Sequence, residues 1–137
     1  MAAIEVRNAG GDRFGIRVRD HGLIVDQPLE AGGSDVGPTP TELFVAGLAS
    51  CVAFYAGRFL RRHGMTADEL VVACDFTMSE DPPARVSAVE LRLQLPKGFP
   101  ESRRTALRRV VEHCTVHNSI RIAPDVTIDL GVDRQVA

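Results

Sequence analysis

Residues 37–64 read GPTPTELFVAGLASCVAFYAGRFLRRHG, and this stretch decides the fold. Pro38 and Pro40 close off an extended segment, Thr39 or Thr41 offers an N-cap hydroxyl, and Glu42 places a carboxylate in the first turn, where it suits the positive end of a helix. Gly64 is the stop signal. From Leu43 to Gly57 fifteen residues carry no charge; this is short of the roughly 20 that a bilayer-spanning helix needs. Apolar side chains fall on every side of the wheel, which predicts a helix buried all round. Cys51 lies near its middle, either as a small core residue or as a nucleophile kept out of bulk water.

The face of Cys51 is shared by Gly47, Leu48, Phe54, Tyr55 and Arg58 at 100° per residue. Glu42 precedes Cys51 by nine residues and so points the other way, ~13 Å back along the axis. Ala46, Ala49, Ser50, Ala53 and Gly57 recur at steps that let a second helix come close, within the chain or across a subunit interface.

Before this helix, Ile4 and Val6 begin a strand, Asn8 to Gly11 is turn chemistry, and Phe14, Ile16 and Val18 alternate with Arg13, Arg17 and Arg19. Asp20-His21-Gly22 is read as a tight turn into Leu23-Ile24-Val25, completing an antiparallel meander. The arginines are either a solvated sheet face or a source of one cation for a thiolate. Asp26 to Gly37, rich in glycine, reads as a surface loop.

After it, Leu70, Val72, Cys74, Phe76 and Met78 share one face of a strand, so Cys74 is read as packing. Ser79 to Pro83 turns the chain. The return strand, Ser87 to Leu95, sets Val89, Leu91, Leu93 and Leu95 against Glu90, Arg92 and Gln94. From about Glu101, Leu107, Val110, Val111 and Cys114 form the stripe of an amphipathic helix, with Arg103, Arg104, Arg108 and Glu112 opposite. Val126, Ile128 and Leu130 read as a closing strand. The order is therefore β-β-β-α-β-β-α-β, a single α+β domain over 1–137 in which antiparallel sheet meets two helices.

Composition narrows the function. The chain has 137 residues, 45% apolar and 25% charged, with a net charge of −2. That balance argues against nucleic acid or an anionic membrane as partner and favours a small molecule or a protein. Near residue 1 no basic stretch precedes an apolar run, so the expected compartment is the cytoplasm. Cys51, Cys74 and Cys114 form no CxxC pair, and their spacings of 23 and 40 resemble no zinc ribbon. No metal or bound cofactor is expected. His113 and His117 flank Cys114; they are read as tuning its thiol or satisfying a helix end, with a Cys/His metal site as the rival. If the two helices pack at 8–10 Å, Cys51 and Cys114 can meet.

With its Gly37-Pro38-Thr39-Pro40-Thr41-Glu42-Leu43-Phe44 opening, Ala49-Ser50-Cys51 and the later Cys114-Thr115-Val116-His117-Asn118, the chain resembles the OsmC/Ohr family of thiol-dependent peroxidases. Val25-Asp26-Gln27-Pro28 and Gly32-Gly33 fit the same pattern. The resemblance implies an intertwined homodimer with the cysteine helices central and sheet wrapped around them. It implies that Cys51 attacks the peroxide, that Cys114 resolves the sulfenic acid as a disulfide, and that an external thiol or dithiol reduces the pair. It also implies an arginine from the N-terminal strands beside Cys51; Arg13 is the closest match, with Arg17 and Arg19 as alternatives. The better-defined peroxidase branches carry a glutamate immediately after the helix-opening proline. Here that position is Thr41 and the carboxylate comes one residue later, at Glu42, so the chain is more similar to a less characterised OsmC-like branch. Phe44, Leu48, Phe54 and Tyr55 are the expected substrate pocket, favouring an organic hydroperoxide. The rival function is a non-catalytic ligand-binding or redox-sensing protein using the same cleft.

Overall fold

The computed structural model describes residues 4–131. Its long helix, α1 (Pro40–Arg62), starts as its sequence dictates. Thr39 is the N-cap: its hydroxyl accepts the Glu42 N–H at 3.1 Å while the Glu42 carboxylate accepts the Thr39 N–H at 2.8 Å, a closed capping box with Pro40 behind it. At the other end Gly64 takes φ +72°, and the N–H groups of Gly64 and Met65 return to the carbonyls of Arg61 and Leu60. That is a Schellman stop, which favours glycine because the left-handed conformation carries no Cβ penalty there.

Val45, Leu48, Val52, Ala56, Phe59 and Leu60 form one buried stripe along α1. The stripe lies on a hairpin of β4 (Val71–Met78) and β5 (Val86–Gln94) and against α2 (Arg104–Glu112) and α3 (Thr115–Arg121). Val89, Leu91, Leu93 and Leu95 face it as expected, while Arg92 on the outer face pairs with Asp75 at 2.6 Å and Glu90 at 2.9 Å. Burying a side chain such as Leu60 contributes about 1.5–3 kcal/mol, so this stripe dominates the helix's stability.

The helix is not buried all round, however. Phe44 and Phe54 are half exposed, because a single chain supplies packing partners for only one side. Nor does length separate α1 from a bilayer span, since its 23 residues are long and apolar enough by composition alone. Its buried stripe is nonetheless packed on β4, β5, α2 and α3.

The N-terminal meander consists of β1 (Ile4–Asn8), β2 (Phe14–Val18) and β3 (His21–Val25). Val18 pairs with His21, so the turn is Arg19-Asp20, one residue earlier than the glycine suggested, with Arg19 at φ +53°. Ile4, Val6, Phe14, Ile16, Leu23 and Val25 share one face by register, yet only Val25 is buried. The meander and the helix-hairpin body are joined through residues 26–39. Asp26, 1% exposed, organises that link by accepting the N–H groups of Gln27, Ser34 and Val36 at 2.7, 3.1 and 3.2 Å. Gly33 and Gly37 pack their Cα atoms on the carbonyls of Gln27 and Ile24, leaving no room for a side chain.

Two elements differ from the sequence reading. A 3-10 turn at Glu101–Arg103 precedes α2, and the expected single helix then breaks at Cys114, whose φ −67° and ψ 153° start a separate α3. The expected closing strand is absent among the described residues: 123–131 pair with no strand, and Val126, Ile128 and Leu130 are each more than three-quarters exposed. Their alternation needs a sheet edge that this chain does not bring to them.

Candidate active site

The break at Cys114 brings the two cysteines together. Cys51 stands half-buried near the middle of α1; Cys114 is wholly buried at the α2–α3 junction, packed with Leu48 and Val52. Cys51 packs against the cluster that Leu48, Val52 and Cys114 form, close enough for its thiol to act on that of Cys114, and both are free. Cys114 is also the N-cap of α3: its sulfur accepts the N–H of His117 at 3.4 Å and that of Val116. Burial, the largest influence, pushes the Cys114 thiol up; the two backbone N–H groups pull it down, and the neighbouring Cys51 thiol pushes it up again, leaving it above its ordinary value of 9.0.

A side-chain bond spans the same junction. The Tyr55 hydroxyl, one turn beyond Cys51, lies 3.0 Å from the hydroxyl of Thr115, the residue after Cys114, and the Tyr55 ring meets Phe54 edge-on with centroids 5.5 Å apart. Sequence reasoning assigned Tyr55 to a substrate pocket and missed this link. No spacing marks this link, because Tyr55 and Thr115 lie 60 residues apart on different elements.

The other expected site residues are not gathered around Cys51 within one chain. Arg13 sits over Gly10, its Nε donating to the Gly10 carbonyl at 3.3 Å, and its charge acts on Asp26. Burial alone would raise the Asp26 carboxyl, but the three backbone donors together with Arg13 outweigh it and hold Asp26 below its ordinary 3.8. Arg17 lies on the polar face of the meander beside Glu5 and Arg7, and Arg19 is in the exposed turn. Glu42 is committed to the capping box. The Thr39 backbone N–H first, then the Thr39 side chain, hold its carboxyl below the ordinary 4.5. Of the expected pocket, Leu48 is core, Phe44 and Phe54 are exposed, and Tyr55 belongs to the α1–α3 link.

Cys74 makes only a distant contact with the Asp75 carbonyl, and burial and the Asp75 charge push its thiol up. The histidines serve helix ends: the His113 Nδ1–H donates to the Arg109 carbonyl at 2.7 Å, and His117 gives its backbone N–H to Cys114. Among the described residues no three His, Cys, Asp or Glu side chains are placed to hold a metal ion.

Two thiols in one packed cluster, one half-buried and one buried with its sulfur held by a backbone N–H, are a pair from which a disulfide can form. The family model described as OsmC-like protein matches residues 32–129. No curated protein matches the chain in sequence. Among solved structures, a Psychrobacter arcticus protein provisionally assigned to osmotic stress induction and the detoxification response superposes with a TM-score of 0.79 at 22% identity, over 87% of this chain and 88% of that one. The organic hydroperoxide resistance protein OsmC of Legionella pneumophila gives 0.65 at 21% identity over 86% and 87%. The organic hydroperoxide resistance protein OhrB of Bacillus subtilis gives 0.62 at 19% identity over 88% and 90%.

Proposed function

The chain belongs to the OsmC-like family, and on that premise we propose that it is a thiol-dependent peroxidase that reduces organic hydroperoxides. The observation that carries this reading is the packing of the half-buried Cys51 against the cluster that holds the buried Cys114. Similar folds named for organic hydroperoxide resistance support the substrate class.

The chemistry follows from the pair. The Cys51 thiolate attacks the distal peroxide oxygen; the O–O bond breaks, the alkoxide leaves as alcohol after taking a proton, and Cys51 becomes a sulfenic acid. The Cys114 sulfur then attacks the Cys51 sulfur, expelling the hydroxyl as water, and the disulfide forms before a second peroxide can react. An external thiol returns both cysteines to the reduced state, so the cycle suits a reducing cytoplasm.

The working unit in this proposal is a homodimer. Ile4, Val6 and Leu23 on the meander, Phe44 and Phe54 on α1, and Val126, Ile128 and Leu130 leave apolar surface exposed in the single chain, which favours a partner that covers it. A second copy covers it, offers the sheet edge that residues 126–130 lack, and brings the Arg13 side of its meander to Cys51, where a guanidinium keeps the thiolate ionised.

One equivalent of an alkyl hydroperoxide tests the reading. Mass spectrometry should find a Cys51–Cys114 disulfide within seconds, and none in the Cys51→Ser variant. Both thiols still reduced after modest excesses of several hydroperoxides, with the fold intact, would refute it. The engagement of Glu42 in the capping box favours a second reading, a non-catalytic redox sensor, because it leaves no α1 carboxylate to orient an arginine. Slow oxidation without turnover in the presence of excess thiol would select that reading.

A further inference from the structure

His63 closes α1 and His113 closes α2, and both line one cleft of about 440 Å³ between the ends of these helices. That volume is ordinary for a small-molecule site, and the peroxide chemistry leaves it unused. Arg58 and Arg62 of α1 complete its polar wall, Tyr55, Phe59 and Val110 form its apolar part, and no acidic side chain lines it. His63 is stacked on Phe59 with ring centroids 4.1 Å apart, and its Nδ1 lies 2.8 Å from the Phe59 carbonyl oxygen; the Nδ1 of His113 lies 2.7 Å from that of Arg109. Each ring is thus fixed through Nδ1–H, which leaves Nε2 as the atom that can take a proton and meet an anion.

Basic residues at a helix end commonly serve its negative pole. Here other donors already do so. The Phe59 and Leu60 carbonyls both accept the His63 N–H at 3.1 Å, that of Leu60 also accepts Met65 at 2.8 Å, and that of Arg61 accepts Gly64 at 3.1 Å. In α2 the Val110 and Val111 carbonyls accept the N–H groups of His113 and Cys114 at 3.3 and 3.4 Å. The arginines are left over. The Arg58 guanidinium meets only the Phe54 ring, 5.3 Å from its centroid, and among the described residues that of Arg62 has no hydrogen bond, ion pair or ring contact. Like charges one helical turn apart repel each other, and no carboxylate of this cleft offsets them.

We propose that this cleft binds a small soluble phosphate monoester, its phosphate held by Arg58 and Arg62 of α1 and by His113 of α2, with His63 beside them. A phosphate monoester carries a charge of about −1.5 to −2 and three acceptor oxygens, so one group engages both guanidinium forks and an imidazolium at once. A carboxylate, with one charge and two oxygens, leaves the second arginine uncompensated. The cation–π contact of Arg58 at this partly open site is weaker than a charge-assisted hydrogen bond, so the fork turns from Phe54 to the phosphate. The apolar part formed by Tyr55, Phe59 and Val110 leaves room for an organic body, which distinguishes an ester from free phosphate. A nucleic-acid backbone fits less well, because the site is a cleft between two helix ends on a chain of net charge −2. Bound there, the ester ties α1 to the residue that precedes Cys114, so it braces the α1–α2 contact whatever chemistry the cysteines perform.

The test titrates the full reduced chain at low salt with glycerol 3-phosphate, inorganic phosphate and acetate, by calorimetry and by the NMR signals of the four histidine rings. Glycerol 3-phosphate should saturate the chain and bind about tenfold tighter than acetate, with the affinity falling as salt rises. The ring signals of His63 and His113 should move and those of His21 and His117 stay. Arg58→Gln combined with Arg62→Gln should weaken binding about tenfold, and Arg58→Lys with Arg62→Lys should keep part of it. Arg103→Gln with Arg121→Gln removes the same charge away from the cleft and should leave the affinity within about twofold. The ring signals come from the unaltered chain, so the site is tested even where the Gln pair folds poorly. Acetate bound as tightly as the ester, inorganic phosphate bound more tightly, movement of His21 or His117 instead, or equal weakening by the remote pair would each overturn the proposal. So would binding to vesicles containing phosphatidic acid without binding to glycerol 3-phosphate, which would assign the basic side chains to a lipid surface. Cys51→Ser should bind the ester as the wild type does, so this site and the peroxidase reading fail separately.

Discussion

Tyr55→Phe, paired with Thr115→Val, isolates the bond that holds α3 against α1 beside the two sulfurs. The hydroxyls are 3.0 Å apart, and both belong to residues that water reaches in part, so the net loss expected from either substitution is roughly 1 kcal/mol, within the 0.5–1.5 range of a neutral hydrogen bond. If that bond keeps Cys114 docked against Cys51, losing about 1 kcal/mol lowers the docked population by about fivefold. Disulfide formation from the Cys51 sulfenic acid slows by the same factor, and a second peroxide gains time to drive Cys51 to the irreversible sulfinic acid. The assay is rapid quench by alkylation followed by mass spectrometry, counting disulfide against sulfinic acid at rising peroxide. A urea double-mutant cycle at one fixed protein concentration accompanies it, because subunit association would otherwise move the midpoint. The double variant should be no worse than either single one, with the sulfinic fraction rising in all three. Additive losses, or a sulfinic fraction equal to wild type despite the loss of stability, would show that the Tyr55–Thr115 bond does not hold the pair.

Three further outcomes are expected. Val6→Asp, on a residue 56% exposed in the single chain, should shift stability by no more than ~0.5 kcal/mol if the chain acts alone; the dimer proposal expects sedimentation to report monomers instead. Asp26 is held below 3.8 and Glu42 below 4.5 in the folded chain, so each contributes stability that is present above its ordinary value and lost as pH falls through the depressed one. Asp26→Asn should therefore lower the melting temperature at pH 7 and flatten the acid limb below pH 4 in a pH series of thermal melts, while Glu42→Gln flattens the part nearer 4.5. Gly33→Ala drives a Cβ into the Gln27 carbonyl and should destabilise by about 1–3 kcal/mol, as overpacking does; Gly15→Ala, where the chain leaves open space, should stay within ~0.5 kcal/mol in the same denaturant titration.

The parts of the fold that local chemistry specifies were legible. Pro40, Thr39 and Glu42 mark the start of α1 and Gly64 its end because each residue type answers an unsatisfied backbone group at that place. The alternation from Val89 to Leu95 marks β5 because a strand with one wet face has period two. The α2–α3 break was not legible, since neither Gly nor Pro announces it and the apolar spacing runs unbroken through Val110, Val111 and Cys114; only a sulfur acting as cap reveals it. The alternation of Val126, Ile128 and Leu130 predicts a closing strand that the described residues do not form, because periodicity cannot say which sheet edge will receive it. Of the site, the meeting of Cys51 and Cys114 was foreseen as a geometric option. The place of Arg13 beside Asp26 was not, because which charge faces a buried carboxylate depends on how the 26–38 loop closes, and no period encodes that.

Position 114 performs two jobs with one atom: its sulfur starts a helix and is placed to react with Cys51. These demands separate when the chemistry is abandoned. A descendant of this chain that had lost the need for a disulfide would remain under pressure to keep an acceptor there, so drift should run toward serine, threonine, aspartate or asparagine, which cap at least as well, and away from alanine or valine. The residue found at this position in other chains of the same fold thus serves as a historical record, distinguishing lineages that kept the redox couple from those that kept only the helix it begins.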